Sequence, residues 1–219
     1  QGRAALELEW DDGSNTAYNS VNYRRTLEAA ARAPAKVTRR NGDAVAALAQ
    51  TTAERKHAAE FYMPHLAHAS MEPPVATALV SNGGCEIWTS TQNAQATLDN
   101  VAAQAGFEPG RVKVNCLLLG GGFGRKSKPD YVVEAALVAK AMPGTPVKLV
   151  WTRDDDLKHD YLHTVSVERI EAALDAKGMP QAWLHRTAAP TIASTFAVGA
   201  KGSAPFEMGM SANNMPFSI

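Results

Sequence analysis

Four glycines fall within five positions of the stretch LLLGGGFGRKSKPD, residues 117–130. A glycine in regular structure costs roughly 0.5–1 kcal/mol relative to alanine, because its backbone loses more freedom on folding. A chain accepts that cost where a ligand must approach the main chain closely, or where a strand turns sharply into a helix. The stretch therefore predicts either a ligand-binding loop or a tight crossing, and composition alone does not decide between them.

Two phosphate-binding motifs nearly fit this loop, and both fail at Arg125. A Walker-type loop could begin at Gly120 and end at Lys126 and Ser127, but it needs glycine where Arg125 stands. The dinucleotide motif G-x-G-x-x-G begins correctly at Gly120 and Gly122 and fails at the same residue. That glycine lets main-chain amides surround a phosphate, so an arginine there is a serious defect. A nucleotide-binding module is therefore a minor alternative.

Two other polar clusters have spacings that could hold a metal. His65, His68 and Glu72 lie in a segment interrupted by prolines, which does not bring them together as H-x-x-H on a helix does. The run 154–156 consists of three aspartates after Arg153, and such runs are usually the first turn of a helix or a solvated face. We predict ordinary hydrogen-bonded histidines and a helix start, and no metal site.

The remaining reactive side chains have plainer interpretations. The cluster of Arg125, Lys126 and Lys128 could contact a cofactor phosphate or a partner, but a solvent-facing cluster is slightly favoured. Cys85 and Cys116 form no CxxC pair and are predicted to be small buried side chains on strands. Spacing alone supports no Ser-His-Asp arrangement.

The elements that must position the glycine loop follow from hydrophobic periodicity and turn residues. The predicted strands are 3–10, a short one within 35–43, 85–91, 111–119, 146–152 and two antiparallel strands within 163–188. The predicted helices are 20–32, 43–50, 92–106 and 130–142, with Asp130 as a cap. Leu117–Leu119 continue their strand with an apolar run, which predicts burial on both faces. The pattern predicts an α+β fold with a mixed β-sheet and packed helices.

Composition excludes several classes of protein. The 219 residues carry 22 basic and 22 acidic side chains, so no nucleic-acid-binding surface is expected over the whole chain. No apolar run approaches the roughly 20 residues of a transmembrane helix. The chain begins at Gln1 rather than methionine, which predicts a piece of a longer polypeptide whose export signal, if any, lies upstream. A cytoplasmic compartment and a periplasmic or membrane-associated one in a bacterium both remain open.

Two segments read together resemble a known family. S-T-Q-N at Ser90–Asn93, a helix, R-V-x-V at 111–114 and G-G-G-F-G at 120–124 follow in that order. This combination resembles the molybdenum-cofactor-binding subunit of the xanthine oxidase family, the molybdenum hydroxylases. The stretches GGGFGRKSKPDYVVEAALVAKA, PVKLVWTRDDDLKHDYLH and MEPPVATA look most like isoquinoline 1-oxidoreductase beta subunits and bacterial membrane-associated aldehyde dehydrogenases.

The resemblance implies a molybdenum-dependent oxidoreductase. Such enzymes hydroxylate a carbon next to a ring nitrogen, or an aldehyde carbon, with oxygen from water, and pass electrons to iron–sulfur clusters on a partner. The cofactor is molybdopterin, with a cytosine dinucleotide form as an option. The cofactor carries the chemistry, and the protein supplies position and electrostatics. The implied partners are a small iron–sulfur subunit and the remaining domains of the same large subunit.

Five residues match the family's cofactor contacts. The resemblance implies that the amide of Gln92 hydrogen-bonds an oxygen ligand of molybdenum, and that Phe123 lies beside the metal. Gly121, Gly122 and Gly124 would let the backbone reach the cofactor. The alternative for Gln92 is a helix-start residue that only caps the turn after WTST.

The sequence also departs from the family pattern. Ser127 stands where the purine-oxidising branch has an acidic residue, so purine oxidation is not expected. The family's catalytic glutamate lies near the C-terminus of such subunits, so this chain is expected to supply no catalytic residue and to be inactive alone. The predicted segments are an N-terminal strand and helix segment at 1–50, a cofactor-binding part at 51–189 and an irregular segment at 190–219. A non-catalytic scaffold or interaction domain is the other alternative.

Overall fold

The computed structural model describes residues 2–197, 199–204, 206 and 207. The helices are α1 (Ser20–Arg32), α2 (Ala44–Gln50), α3 (Ala94–Ala105), α4 (Asp130–Ala141) and α5 (Arg153–Lys158). The strands are β1 (Lys56–Met63), β2 (Val75–Ser81), β3 (Gly84–Thr89), β4 (Val112–Cys116), β5 (Val147–Val150), β6 (Ser166–Leu174) and β7 (Pro180–Ala188). Short 3-10 turns connect several of these elements.

The described chain forms two compact units. The central unit is the continuous segment His65–His163, and the outer unit combines the chain before it with the chain after it. The predicted division into segments 1–50, 51–189 and 190–219 stays a prediction. Residues 198, 205 and 208–219 of its last segment lie outside the described residues.

The central unit contains a four-stranded sheet in the order β4-β3-β2-β5. β3 and β4 run parallel, whereas β2 is antiparallel to both β3 and β5. Alternate residues of β2 and β3 are buried, as expected for strands with one face on a core. α4 packs against this sheet through Tyr131, Val132 and several alanines, and α3 ends at Gly106 with φ +69°. The predicted α+β fold with a mixed sheet and packed helices is confirmed.

The outer unit contains a three-stranded antiparallel sheet in the order β1-β6-β7. β6 and β7 form the predicted hairpin around the turn that begins at Asp175, whose carbonyl accepts from Gly178 N at 3.1 Å. Leu27 and Ala31 of α1 share a buried cluster with Val167 of β6 and with Val165, which directly precedes that strand. An amphipathic helix on one face of the sheet therefore forms this core.

Several sequence predictions are wrong in this structure. The predicted strand at 3–10 is absent: Gly2–Ala5 is a 3-10 turn, and Leu6, Leu8 and Trp10 are exposed. No strand forms within 35–43. Both regions show strand-like alternation, but neither pairs with a strand in the described chain, and alternation alone leaves main-chain groups unpaired.

Leu117–Leu119 also differ from the prediction. β4 ends at Cys116 on the edge of its sheet, and the three leucines are 55%, 96% and 39% exposed. Leu117 keeps a ladder contact, donating its N–H to Thr89 O at 2.9 Å. The prediction that this apolar run forms a strand buried on both faces is therefore wrong. Within the described residues, no helix is long and apolar enough to cross a membrane.

Candidate functional site

The glycine loop connects β4 to α4 in the central unit. Gly121 and Gly124 have φ of +87° and +103°, which other residues rarely adopt. Phe123 between them has φ +53°, and its side chain is 67% exposed. A bulky residue held in the left-handed region with its ring in solvent is uncommon and costs conformational energy. Such strain marks this loop as a candidate site.

At Gly120 and Gly122 a side chain is excluded for a different reason. A Cβ on Gly120 would lie 2.6 Å from Glu72 Cβ, and one on Gly122 would lie 2.3 Å from Gln92 Oε1. Both distances are far below van der Waals contact. These two glycines therefore make room for side chains of the same protein. The sequence interpretation had instead explained the glycines of the loop by the close approach of a cofactor.

Gln92 lies against the loop as the resemblance implies. Its main-chain N–H donates to Lys126 O at 3.1 Å, and its side-chain Oε1 accepts from Gly124 N at 3.0 Å. The side chain is exposed, and its Nε2 donates to no acceptor in the described part of the chain. The helix-cap alternative is wrong, because Asn93 is the N-cap of α3 and its side chain accepts from Ala96 N.

The loop presents a row of neutral donors beside Gln92. The main-chain N–H groups of Gly121, Gly122 and Phe123 reach no acceptor among the residues described. Successive free amides in a turn with positive φ form a concave surface that favours anions and oxygen-rich ligands. All five residues predicted as cofactor contacts thus lie together: Gln92, Gly121, Gly122, Phe123 and Gly124.

Arg125 is buried, so the prediction of a solvent-facing basic cluster is wrong for it. Its guanidinium donates to both carboxylate oxygens of Asp130 at 2.9 and 2.8 Å, and its Nε is 3.3 Å from Asp160 Oδ1 without hydrogen-bond geometry. The ring centroids of Trp151 and Tyr161 lie 5.3 and 5.1 Å from the Arg125 Cζ. Burial lowers the pKa of Arg125, but Asp130 outweighs it and the pKa is raised.

Asp130 is the first residue of α4, and Pro129 occupies the cap position that was predicted for Asp130. The carboxylate contributes through its bidentate contact with Arg125, because a planar guanidinium matches a carboxylate in both charge and geometry. The arginine that disqualified the phosphate motifs is thus an internal anchor of the loop.

Lys126 is also fully buried, which again contradicts the solvent-facing prediction. Its Nζ lies 2.5 Å from Glu72 Oε2 and 3.2 Å from Ser90 Oγ, and Ser90 Oγ donates to the same Glu72 oxygen at 2.6 Å. Burial raises the pKa of Glu72, but the hydrogen bonds from Lys126 and Ser90 outweigh it, so the pKa is lowered. A lysine paired in this way cannot serve a nucleotide phosphate.

The histidines and the aspartate run fill structural roles. His68 Nδ1 lies 2.9 Å from Asp160 Oδ1, and its main-chain N–H donates to Asp160 Oδ2 at 2.6 Å. Asp154–Asp156 form the first turn of α5, as predicted, with Thr152 as N-cap. No three His, Cys, Asp or Glu side chains among the described residues could hold a metal together.

The two cysteines differ. Cys85 is buried on β3 as predicted, and burial raises its pKa to about 11. Cys116 is exposed at the edge of the sheet, which contradicts the prediction of burial. Sequence reasoning also missed the contacts of Glu72 and Ser90 with the loop. The available signal was that both residues flank predicted strands, but their pairing with Lys126 spans 54 and 36 positions.

A strained glycine loop with unpaired neutral donors, on an α+β fold, is typical of the class of cofactor-binding domains. Residues 29–209 match the model of the molybdopterin cofactor-binding domain family. The match covers most of the chain, so this protein belongs to that family.

Individual relatives agree with the family match. The chain is 36% identical over 130 residues to a membrane-bound aldehyde dehydrogenase (pyrroloquinoline-quinone) of Gluconacetobacter polyoxogenes, covering 59% of this chain and 17% of that protein. It is 34% identical over 122 residues to isoquinoline 1-oxidoreductase subunit beta of Brevundimonas diminuta, covering 55% and 16%. The chain thus spans less than a fifth of the length of either relative.

Solved structures show the same fold. Quinoline 2-oxidoreductase from Pseudomonas putida 86 superposes with a TM-score of 0.55 at 21% identity, over 68% of this chain and 19% of that one. Aldehyde oxidoreductase from Desulfovibrio gigas superposes with a TM-score of 0.53 at 23% identity, over 64% and 15%. At these identities the likeness concerns the fold.

Proposed function

We propose that this chain is the molybdopterin-binding part of a molybdenum hydroxylase that oxidises an N-heterocycle or an aldehyde with oxygen from water. The observation that carries the proposal is the row of neutral main-chain donors of Gly121, Gly122 and Phe123, which have no acceptor among the described residues, beside the Gln92 Nε2, which also has none there. The whole enzyme would include further domains of the same subunit and a partner subunit with iron–sulfur clusters. A cytosine dinucleotide form of the cofactor remains part of the proposal.

The donor set of the site fits this cofactor. Molybdopterin carries oxygen and phosphate acceptors, and the loop offers amide donors to receive them. Its two cations, Arg125 and Lys126, are buried and paired with Asp130 and Glu72, so neither presents its charge on the surface of the loop.

When bound, the molybdenum cofactor supplies the redox chemistry and the activation of water. The residues of this chain would orient it. The Oε1 of Gln92 is held by Gly124 N, which turns the Nε2 donor outward. The exposed ring of Phe123 provides an apolar surface beside these donors, where a flat heterocycle or an aldehyde would be shielded from water.

Two alternatives make different predictions. A nucleotide-binding module is disfavoured because Lys126 is buried against Glu72. A non-catalytic scaffold would keep the fold without the cofactor. The name of the aldehyde dehydrogenase from Gluconacetobacter polyoxogenes includes pyrroloquinoline-quinone, which is stated for that protein alone.

The test is cofactor analysis of the full-length protein purified with its partner subunit. We expect stoichiometric molybdenum and pterin, and ¹⁸O from labelled water in the oxidised aldehyde or heterocycle. A full-length protein without molybdenum would support the scaffold alternative. A protein containing pyrroloquinoline quinone and no pterin would contradict the proposal.

A further inference from the structure

We propose that Lys126 is a positioning residue that fixes Gln92 against the glycine loop, working together with Glu72 and Ser90. This role rests on the proposed function only where it concerns the cofactor. The geometric part concerns the loop itself and can be tested without any cofactor.

Lys126 contacts the segment around Gln92 through both its main chain and its side chain. Its main-chain carbonyl accepts from Gln92 N and from Thr91 Oγ1, both at 3.1 Å. Its side-chain Nζ reaches Ser90 Oγ at 3.2 Å. One residue of the loop therefore contacts three consecutive residues of the segment that carries the free amide donor. A shift of Lys126 would move Gln92 relative to the loop.

Glu72 connects the same lysine to the first glycine. Its carboxylate lies 2.5 Å from Lys126 Nζ, and its main-chain N–H donates to Gly120 O at 3.1 Å. Its Cβ also fills the space that a side chain at Gly120 would need. The ion pair thus ties the start of the loop to its end, across Gly121–Gly124.

Stability alone does not account for an ion pair whose lysine is fully buried. Desolvation of Lys126 offsets part of its attraction to Glu72, whose side chain is 38% exposed, and well-packed apolar residues of similar size can replace buried charges at little cost. A pair that instead fixes relative positions would be needed even where it adds no stability. The contacts of Lys126 with both segments of the site favour this second role.

The chain offers a matched control. Lys113 and Glu86 form another lysine–glutamate pair in the same sheet, at 2.7 Å, but their side chains are 68% and 36% exposed. Lys113→Met removes the same charge from a solvated pair that contacts no part of the loop. The comparison of Lys126→Met with Lys113→Met separates the loss of a lysine charge from the loss of this particular connection.

The experiment is hydrogen exchange on the full-length protein, read at the amides of Gln92 and Gly124 and, as a reference, in β6 and β7. We expect Lys126→Met to speed exchange at Gln92 and Gly124 by at least about tenfold, corresponding to one weakened hydrogen bond. Exchange in the hairpin should stay unchanged, as it should everywhere near the loop in Lys113→Met. Equal protection of Gln92 and Gly124 in Lys126→Met and wild type would overturn the proposal.

The double variant Glu72→Gln/Lys126→Met guards against a merely structural effect. It removes both charges, so we expect the melting temperature to recover toward wild type while exchange at Gly124 stays fast. If both the melting temperature and the slow exchange at Gly124 recovered, the two charges would do no more than compensate the cost of burying each other. That outcome would overturn the positioning role. In the enzyme, Lys126→Met should retain molybdenum and lose turnover per molybdenum by about tenfold. Absence of molybdenum from wild type would count against the proposed function and leave the exchange result standing.

Discussion

The glycine loop and the β6–β7 hairpin distribute their side chains in opposite ways. In the hairpin, Val167 and Ala173 are fully buried, while Glu168 and Arg169 lie at partly exposed positions. In the loop segment 117–130 the three leucines and Phe123 are exposed, and Arg125 and Lys126 are almost completely buried. The hairpin follows the usual partition between core and solvent, and the loop inverts it.

The difference reflects the range of the contacts that fix each region. Each strand of the hairpin pairs with its sequence neighbour through a short turn, so local alternation and turn residues determine it. Besides the local pair of Arg125 and Asp130, the loop is held by Gln92 and Glu72, which lie 32 and 54 positions from the loop residues they contact. Buried charges must find partners, and exposed apolar groups beside free donors mark a surface that another group covers.

The largest expected effect concerns the exposed side of the loop. Gln92→Ala in the full-length enzyme should lower turnover per molybdenum by roughly 10- to 1000-fold, the range for losing an outer contact of a metal site or a preorganised donor. Molybdenum content should stay near wild type, because the pterin is held mainly by other contacts. The melting temperature should also change little, since the side chain is exposed and Asn93 caps α3.

The measurement is turnover normalised to bound molybdenum, together with the melting temperature. Asn93→Ala serves as the control, because it removes a helix cap worth about 1 kcal/mol beside Gln92. It should lower stability and leave normalised turnover unchanged. If Gln92→Ala behaved like Asn93→Ala, Gln92 would have no role at the cofactor.

The buried side of the loop should show an asymmetry between the two partners of the ion pair. Lys126 has no exposed side-chain surface, whereas the Glu72 side chain is 38% exposed. Glu72→Gln leaves a fully buried cation, and we expect a loss of about 3 kcal/mol, the lower end of the range for breaking buried pairs. Lys126→Met leaves a carboxylate that water can reach, so its loss should be smaller.

Chemical denaturation of the full-length variants, followed by Trp fluorescence, would measure this order. Lys113→Met in the exposed pair with Glu86 should cost less than about 1 kcal/mol. If Glu72→Gln and Lys113→Met destabilised the protein equally, breaking the pair with the buried lysine would cost no more than breaking the exposed pair. The contrast between the two regions would then be wrong.

The sequence predicted the hairpin, the central helices and the mixed sheet because their signals are local. It also grouped Gln92 with Gly121–Gly124 correctly in space, through the resemblance and not through spacing. It failed at Lys126 and Arg125, since a basic pair after glycines looks like a surface cluster until Glu72 and Asp130 are brought beside it. It failed at 3–10 because alternation indicates a strand but does not supply a pairing partner.

Alanine substitutions at Gly120 and Gly122, where an added Cβ would meet side chains of the same protein, should differ in their stability cost. Gly120→Ala would place its Cβ against Glu72 Cβ, which is close to the backbone and cannot move away easily. We expect a loss of about 1–3 kcal/mol, the usual cost of overpacking. Gly122→Ala meets the end of the flexible Gln92 side chain, so it should cost less stability and displace the Oε1 contact with Gly124.

Gly110 provides the matched control, because a Cβ there meets nothing within 4 Å. Gly110→Ala should leave stability near wild type. Melting temperatures give the stability order, and exchange at the Gly124 amide reports the Gln92 contact. A more stable Gly120→Ala than Gly122→Ala would show that Glu72 can yield more easily than Gln92, and would contradict the packing described for the loop.

The smallest effect lies in the hairpin and depends on pH. Burial raises the pKa of Glu168, but hydrogen bonds with His185 at 2.8 Å and Thr187 at 2.6 Å outweigh it, so the pKa is lowered from its ordinary 4.5. A carboxyl with a lowered folded-state pKa contributes stability above its unfolded value and loses it as the pH falls through the folded value. Glu168→Gln should therefore be less stable than wild type by about 1 kcal/mol at pH 6, and this difference should shrink below about pH 4.

Thr187→Val removes one donor and keeps the charge, so it should retain most of the pH dependence. Melting temperatures of the three proteins between pH 6 and 3 give the comparison, and a gap between wild type and Glu168→Gln that stays constant or widens at low pH would refute the assigned direction.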